Sequence, residues 1–220
     1  MVKSLYKIQN RTKEFQSMLQ SKEKRRLWLN ARFLENARSH VDNPNYIIAE
    51  EFNLRIPPDV LEVATTEISQ RLLPVVKGDE IIYGIPSSGS KFIGVVAQQL
   101  GLMMSVSRKG KNIPRAWRDV LTFDTHSYTI QDGKPVRINF GFVEKGSEIL
   151  LFDDIIATGK TIIDSILAFL EKGIKIKAVG AMFAKGFEEG INKVKKMGVK
   201  VIPAVTVDGF SQDGGFILSE

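Results

Sequence analysis

The chain has 220 residues, 43% of them hydrophobic and 25% charged, which is the make-up of a globular domain able to bury a core without staples. It has no cysteine, which excludes disulfides, thiolate catalysis and zinc–sulfur sites, and its two histidines, His40 and His126, stand far apart, which speaks against a histidine metal site. The net charge of +6 lies wholly in residues 1–45, where ten basic side chains accompany four acidic ones, and the remainder is neutral. That asymmetry divides the chain into a basic N-terminal extension, 1–45, and a balanced body, 46–220. No run reaches the ~20 apolar residues of a membrane span. The opening residues lack the apolar stretch of a signal peptide, so a cytoplasmic protein with no membrane partner is expected.

In chain order, apolar side chains at three- and four-residue steps predict helices over 4–20 and 22–41, ended by Asp42-Asn43-Pro44. This basic piece is read either as a nucleic-acid contact or as a helical arm docked on its own body. No helix-turn-helix or other reading motif accompanies the charge, so nucleic acid is not the expected partner. A short apolar run follows at 46–49, then a helix opened by Pro57-Pro58-Asp59. Strands are predicted at 80–85, 102–107, 149–152, 176–183 and 199–205, and helices at 91–100, 161–170 and 188–197. Strands alternating with helices of about ten residues predict a parallel sheet with helices on both faces. Ligands of such sheets sit beyond the C-terminal ends of the strands. Residues 108–147 interrupt the rhythm. There, 127–130 and 136–139 read as a hairpin around Gln131-Asp132-Gly133-Lys134-Pro135, preceded by a long polar segment expected to be mobile.

The segment Asp153-Asp154-Ile155-Ile156-Ala157-Thr158-Gly159-Lys160-Thr161 concentrates the chemistry. It reads as a buried strand ending in two carboxylates, then a tight loop opening a helix. Free amides at the helix start, with Gly159 allowing close approach, suit a phosphate. The adjacent carboxylates suit hydroxyl groups or Mg²⁺ a few ångströms away. The alternative is an acidic strand end with a capping threonine. A P-loop is excluded, because it requires glycine where Asp154 stands.

These nine residues resemble the 5-phosphoribosyl-1-pyrophosphate (PRPP) motif of type I phosphoribosyltransferases, in the form found in the adenine and xanthine branch. The resemblance implies an α/β fold with a parallel-sheet core, helices on both faces, a flexible loop and hairpin insertion and, here, the N-terminal helical extension. It implies that Asp153 and Asp154 hold the ribose hydroxyls and, directly or through water, Mg²⁺. Ala157, Thr158, Gly159, Lys160 and Thr161 would hold the 5-phosphate. Two further segments fall where that family needs them. The stretch around Ser87-Ser88-Gly89 is similar to its pyrophosphate loop, although a Ser/Gly turn is also an ordinary turn. Arg108-Lys109-Gly110-Lys111 is similar to its basic pyrophosphate clamp, with Lys111 among the catalytic group, although a lone cationic run is also ordinary surface. Ser127-Tyr128 resembles the end of the family's catalytic loop.

The base pocket is implied at Asn53, in a stretch resembling the region before the first helix of xanthine phosphoribosyltransferases, and at Ile155, Lys185 and Phe187. Phe187 is read either as stacking on a base, with Lys185 contacting a 2-oxo group, or as packed in the core, with Lys185 snorkelling. The resemblance covers about residues 46–205 and leaves 1–45 and the tail 206–220 unassigned. It implies transfer of a phosphoribosyl group from PRPP to a purine, xanthine, guanine, hypoxanthine or adenine, in a homodimer. The alternative from another class is a PRPP-sensing regulator of purine metabolism that keeps the fold without catalysis. An amidotransferase fragment is excluded by the missing cysteine.

Overall fold

The computed structural model describes residues 13–126 and 134–219. Two helices come first, α1 (Lys13–Gln20) and α2 (Lys22–Asn36), the second capped by Ser21, whose hydroxyl accepts from the Lys24 amide at 3.3 Å. The helix predicted over 22–41 ends earlier, at Asn36. Ala37 turns extended (φ −89°, ψ 145°), and β1 (Ala37–His40) folds back antiparallel on β2 (Asn43–Ala49). Cross-strand pairing outcompetes the local helical period here. Next come α3 (Glu50–Asn53) and α4 (Pro58–Leu72), which carries proline in its first turn, where no amide is needed.

After α4 the strand–helix alternation begins. β3 (Ile81–Gly84) leads through a 3₁₀ turn (Gly89–Lys91) into α5 (Ile93–Leu100), which Gly101 closes at φ 67°. The single strand predicted over 102–107 is two, β4 (Met103–Met104) and β5 (Ser107–Lys109), because the chain leaves one sheet for another at Ser105–Val106. β6 (Leu121–Thr125) lies where a mobile polar segment is predicted, and β7 (Val136–Phe140) follows. The other half of the predicted hairpin, 127–130, falls outside the described residues. Then come β8 (Glu148–Ile156), α6 (Lys160–Glu171), β9 (Lys175–Lys185), α7 (Gly190–Lys196), β10 (Lys200–Phe210) and β11 (Phe216–Leu218).

The main sheet has six strands in the order β11-β10-β9-β8-β3-β4, all parallel except β11. A second, antiparallel sheet, β5-β7-β6, stands beside it. Strand period decides the two cores. Leu150 and Phe152 of β8 point to the face covered by α4, α5 and the N-terminal arm, while Ile149 and Leu151 point to the face covered by α6 and β7.

The arm is part of the first core. Leu29 and Phe33 of α2 are fully buried, and the Phe33 ring lies 5.1 Å from Phe52, 5.3 Å from Phe183 and 5.9 Å from Phe216. Three of its cations are matched by acids of the body. Arg25 Nε meets Glu67 Oε2 at 2.9 Å with both side chains buried. Arg32 meets Glu51 at 2.8 Å, and Arg38 meets Glu50 at 3.1 Å.

At the start of the strands lies a group of acids, Asp79, Glu80 and Glu148. Lysines neutralise it. Lys177 is ion-paired with Glu80 and reaches Glu148 at 3.2 Å, and Lys175 reaches Glu148 at 3.2 Å. The group lies at the sheet end opposite to the cleft described next.

Candidate active site

A cleft of about 380 Å³ opens beyond the C-terminal ends of β3 and β8, the edge to which right-handed crossovers bring the loops. Asp153 and Asp154 stand at its floor, part-exposed at the end of β8, which runs four residues past the expected strand. Each carboxylate has one oxygen engaged by the chain itself. Asp154 N donates to Asp153 Oδ1 at 2.9 Å, and Ile155 N to Asp154 Oδ1 at 3.0 Å. Burial, and then the charge of Asp154, push the Asp153 carboxyl well above the usual carboxylate range, with Lys109 opposing.

Ala157, Thr158, Gly159, Lys160 and Thr161 form the next wall. The chain turns left-handed at Gly159 (φ 74°), and α6 starts there, its first bond running from Ile163 N to Gly159 O at 2.8 Å. The amides just before Ile163 have no carbonyl a turn back, so the loop presents donors and a positive helix end. Gly190, at the start of α7, supports it from behind. Gly190 N donates to Ala157 O at 3.1 Å, and any side chain at Gly159 would meet Gly190 Cα at 2.9 Å. Lys160 holds Asp164 at 2.5 Å, and Thr125 Oγ1 donates to the same carboxylate at 2.5 Å, tying β6 to the loop.

The β3 loop supplies Ile85, Pro86 and Ser88. Ile85 N donates to Phe152 O at 2.6 Å, and a Cβ on Gly84 would come within 2.6 Å of Gly89 O, so this turn needs glycine at both places. The Pro86–Ser87 peptide is cis. Of the other residues expected at the pyrophosphate, Lys109 lines the cleft, whereas Ser87, Gly89, Arg108 and Lys111 are not among its lining residues. Arg108 and Lys111 are exposed, and Lys111 lies close enough to Asp124 to act on its charge.

Of the residues expected at the base, Asn53, Ile155 and Lys185 line the cleft. Lys185 is 2% exposed, and its ammonium donates to Asn45 O at 2.6 Å and to Glu188 at 3.0 Å. Phe187 is packed against the core with its ring 5.2 Å from Phe210, and it is not among the lining residues. Sequence reasoning did not single out Tyr46, Ile47 and Ile48 of β2, Leu54, Thr125, or Val136 and Ile138 of β7 as lining residues. Apolar alternation marks them as strands at most, and only tertiary structure brings them to the cleft.

With two carboxylates, a donor-lined loop and a cation from β5 around one cavity, the cleft suits a phosphorylated ligand carrying hydroxyl groups. A family model described as the phosphoribosyl transferase domain matches residues 63–213. The chain is 25% identical over 158 residues to the xanthine phosphoribosyltransferase of Brevibacillus brevis, covering 71% of this chain and 80% of that one. It is 30% identical over 126 residues to the xanthine phosphoribosyltransferase of Streptococcus uberis, covering 57% and 65%. Among solved structures, the fold is similar to adenine phosphoribosyltransferase from Trypanosoma brucei in complex with AMP, pyrophosphate and ribose-5-phosphate, with a TM-score of 0.64, 20% identity, and 81% and 79% of the two chains covered. It is similar also to the enzyme from Giardia lamblia complexed with 9-deazaadenine, with a TM-score of 0.60, 21% identity, and 74% and 87% covered. The motif, the fold and the matched residues together make this chain a member of the phosphoribosyltransferase family.

Proposed function

We propose that this chain transfers the 5-phosphoribosyl group of PRPP to a purine base, an oxopurine such as xanthine, guanine or hypoxanthine in preference to adenine, and releases pyrophosphate. The observation that carries the reading is the pairing of Asp153 and Asp154 with the donor loop 157–161 on one cleft, in a chain whose sequence relatives are named xanthine phosphoribosyltransferases. In this reading the loop 157–161 holds the 5-phosphate, and the two aspartates orient the ribose hydroxyls. Lys109, with Arg108 and Lys111 after loop closure, faces the pyrophosphate.

The carboxylate pair also fits Mg²⁺. Burial and the neighbouring charge of Asp154 raise the Asp153 carboxyl above its ordinary value, a penalty on the paired charges that a bound cation relieves. Asp153 and Asp154 would hold the ion with PRPP, directly or through water, where it would neutralise charge on the departing pyrophosphate.

As the bond from the anomeric carbon to the pyrophosphate oxygen breaks, its electron pair leaves with pyrophosphate. A purine nitrogen then forms the new bond from the opposite face, and its proton passes to the departing pyrophosphate or to solvent. The protein's part is positioning and charge compensation, with no covalent nucleophile required. Asn53 Oδ1 is buried at the cleft with no hydrogen-bond partner among the described residues, so it is an acceptor suited to a purine N–H.

A homodimer belongs to the same reading, with Met103 (70% exposed) and Met104 (53% exposed) at the sheet edge as apolar surface for the second copy. The test is incubation with Mg²⁺, PRPP and each nucleobase in turn, reading pyrophosphate release. Release with an oxopurine is the expected result. Release with adenine alone would reverse the base preference, and release with no base would remove the reaction.

A further inference from the structure

One aromatic side chain, Tyr46, is found among the described residues that line the cleft, and it comes from β2, the strand at the junction of the basic extension and the body. Its ring stands nearly perpendicular to that of His40 on the neighbouring strand, with centroids 5.8 Å apart. The residue before it is held by a bond that spans 140 positions of sequence, from Lys185 Nζ to Asn45 O. The backbone amide of Asn45 is turned the other way, donating to Asn43 Oδ1 at 3.1 Å. Its carbonyl therefore faces the body and its amide the turn. Lys185 is itself fixed at the far side by Glu188, whose carboxylate lies 3.0 Å from the ammonium with only 16% of its side chain exposed. A buried ammonium is costly unless its protons find acceptors. Here two of the acceptors belong to different ends of the chain, so satisfying the charge also fixes the hairpin.

We infer that Tyr46 is the aromatic residue that stacks on the purine, and that Lys185 is a positioning residue, setting Tyr46 over the cleft through the Asn45 carbonyl. The β1–β2 hairpin, which joins the extension to the body, thereby completes the base half of the site. This rests on the purine reading above. Stacking needs a π-face beside the base, and the other aromatic near this edge, Phe187, is already packed on Phe210.

The test compares Lys185→Met, Lys185→Arg, Tyr46→Ala and Tyr46→Phe in the full chain. It measures backbone hydrogen exchange over 43–49 without ligand, and the KM for purine and for PRPP separately. Thermal melts check that each variant is folded. Lys185→Met is expected to speed exchange over 43–49 and raise the purine KM about tenfold, with the PRPP KM little changed. Lys185→Arg, which can reach both acceptors, is expected to restore both readings in part. Tyr46→Ala is expected to raise the purine KM and Tyr46→Phe to leave it near wild type. Unchanged exchange in Lys185→Met with a raised purine KM would overturn the latch and make Lys185 a direct base contact. An unchanged purine KM in Tyr46→Ala would overturn the stacking role. A chain that consumes no purine would remove the reaction itself, and exchange over 43–49 would then decide the latch on its own.

Discussion

Gly190 backs directly onto Gly159, and the contact leaves no room for a side chain on either residue. A Cβ on Gly190 would come within 2.7 Å of Gly159 N and 2.9 Å of Thr158 C. The loop 157–161 is thus shaped from behind by the first residue of α7, thirty positions downstream, and its amides are aimed by that packing. Gly190→Ala is expected to push the loop toward the cleft, to cost about 2 kcal/mol of stability as an overpacked site does, and to raise the KM for PRPP far more than the KM for purine. Kinetics with each substrate varied in turn check this, and an equal rise in both would contradict it.

The Asp153 carboxyl is held above its ordinary value by burial and by Asp154. An acid whose folded value is raised binds more protons folded than unfolded, so its ionisation lowers stability as pH rises through the interval above its ordinary 3.8. Asp153→Asn removes that effect. It is expected to raise the melting temperature of the ligand-free protein at neutral pH while lowering kcat/KM by at least about tenfold, the scale of a charged hydrogen bond. Melting curves at pH 5 and pH 8 check the sign, because the gain over wild type should be larger at pH 8. A variant that is both less stable and fully active would contradict the assignment.

The βα alternation and the Asp153–Thr161 segment were legible because each depends on local pattern: apolar runs of strand length, helical periodicity, and nine contiguous residues of fixed type. What escaped the sequence depended on distant partners. β6 carries Leu121, Phe123 and Thr125 inward, but Thr122 and Asp124 between them read as loop until β7 is there to pair. Residues 37–40 have a helical period and become a strand because 43–49 pair with them. Phe187 follows the C-terminal end of β9, as expected, but the unforeseen β11 and the end of β10 bring Phe210 against its ring. Tyr46 carries no local sign of a site at all, since its place on the cleft depends on Lys185, 139 positions away.

Glu80 is 1% exposed. Burial alone would raise its carboxyl, but Lys177 and the amides of Lys77 and Gly78 outweigh this and hold it at about 2. A depressed acid contributes stability that is present above its ordinary 4.5 and is lost as pH falls toward 2. Glu80→Gln is expected to cost about 3 kcal/mol at neutral pH, since it strips Lys177, 8% exposed, of one of its two carboxylates. It should also flatten the stability profile between pH 4.5 and 2. Denaturant unfolding across that range checks both, and turnover per folded molecule should not change, because the group lies at the opposite end of the sheet from the cleft.

The basic extension is packed into the domain it precedes. Arg25 is buried against Glu67, and Arg32 and Arg38 face Glu51 and Glu50, so three of its cations are matched within the chain. Leu29 and Phe33 fill the core beside Phe52 and Phe183. Removing residues 1–45 therefore takes out core side chains and leaves Glu67 buried without its partner. The 46–220 fragment is expected to be insoluble or unfolded. Arg25→Met in the full chain, which isolates the charge, should cost about 3 kcal/mol. Lys22→Ala, exposed and without an ion pair among the described residues, should cost less than about 0.5 kcal/mol. Cations already paired with carboxylates are not free to replace the counterions condensed on a duplex, so DNA binding by the full chain should be weak at low salt and absent near physiological ionic strength. Titration of a labelled duplex across salt, run beside the unfolding curves, separates the two roles. Tight, salt-resistant binding together with a stable, soluble 46–220 fragment would show that the extension is a detachable nucleic-acid element and not a wall of this domain.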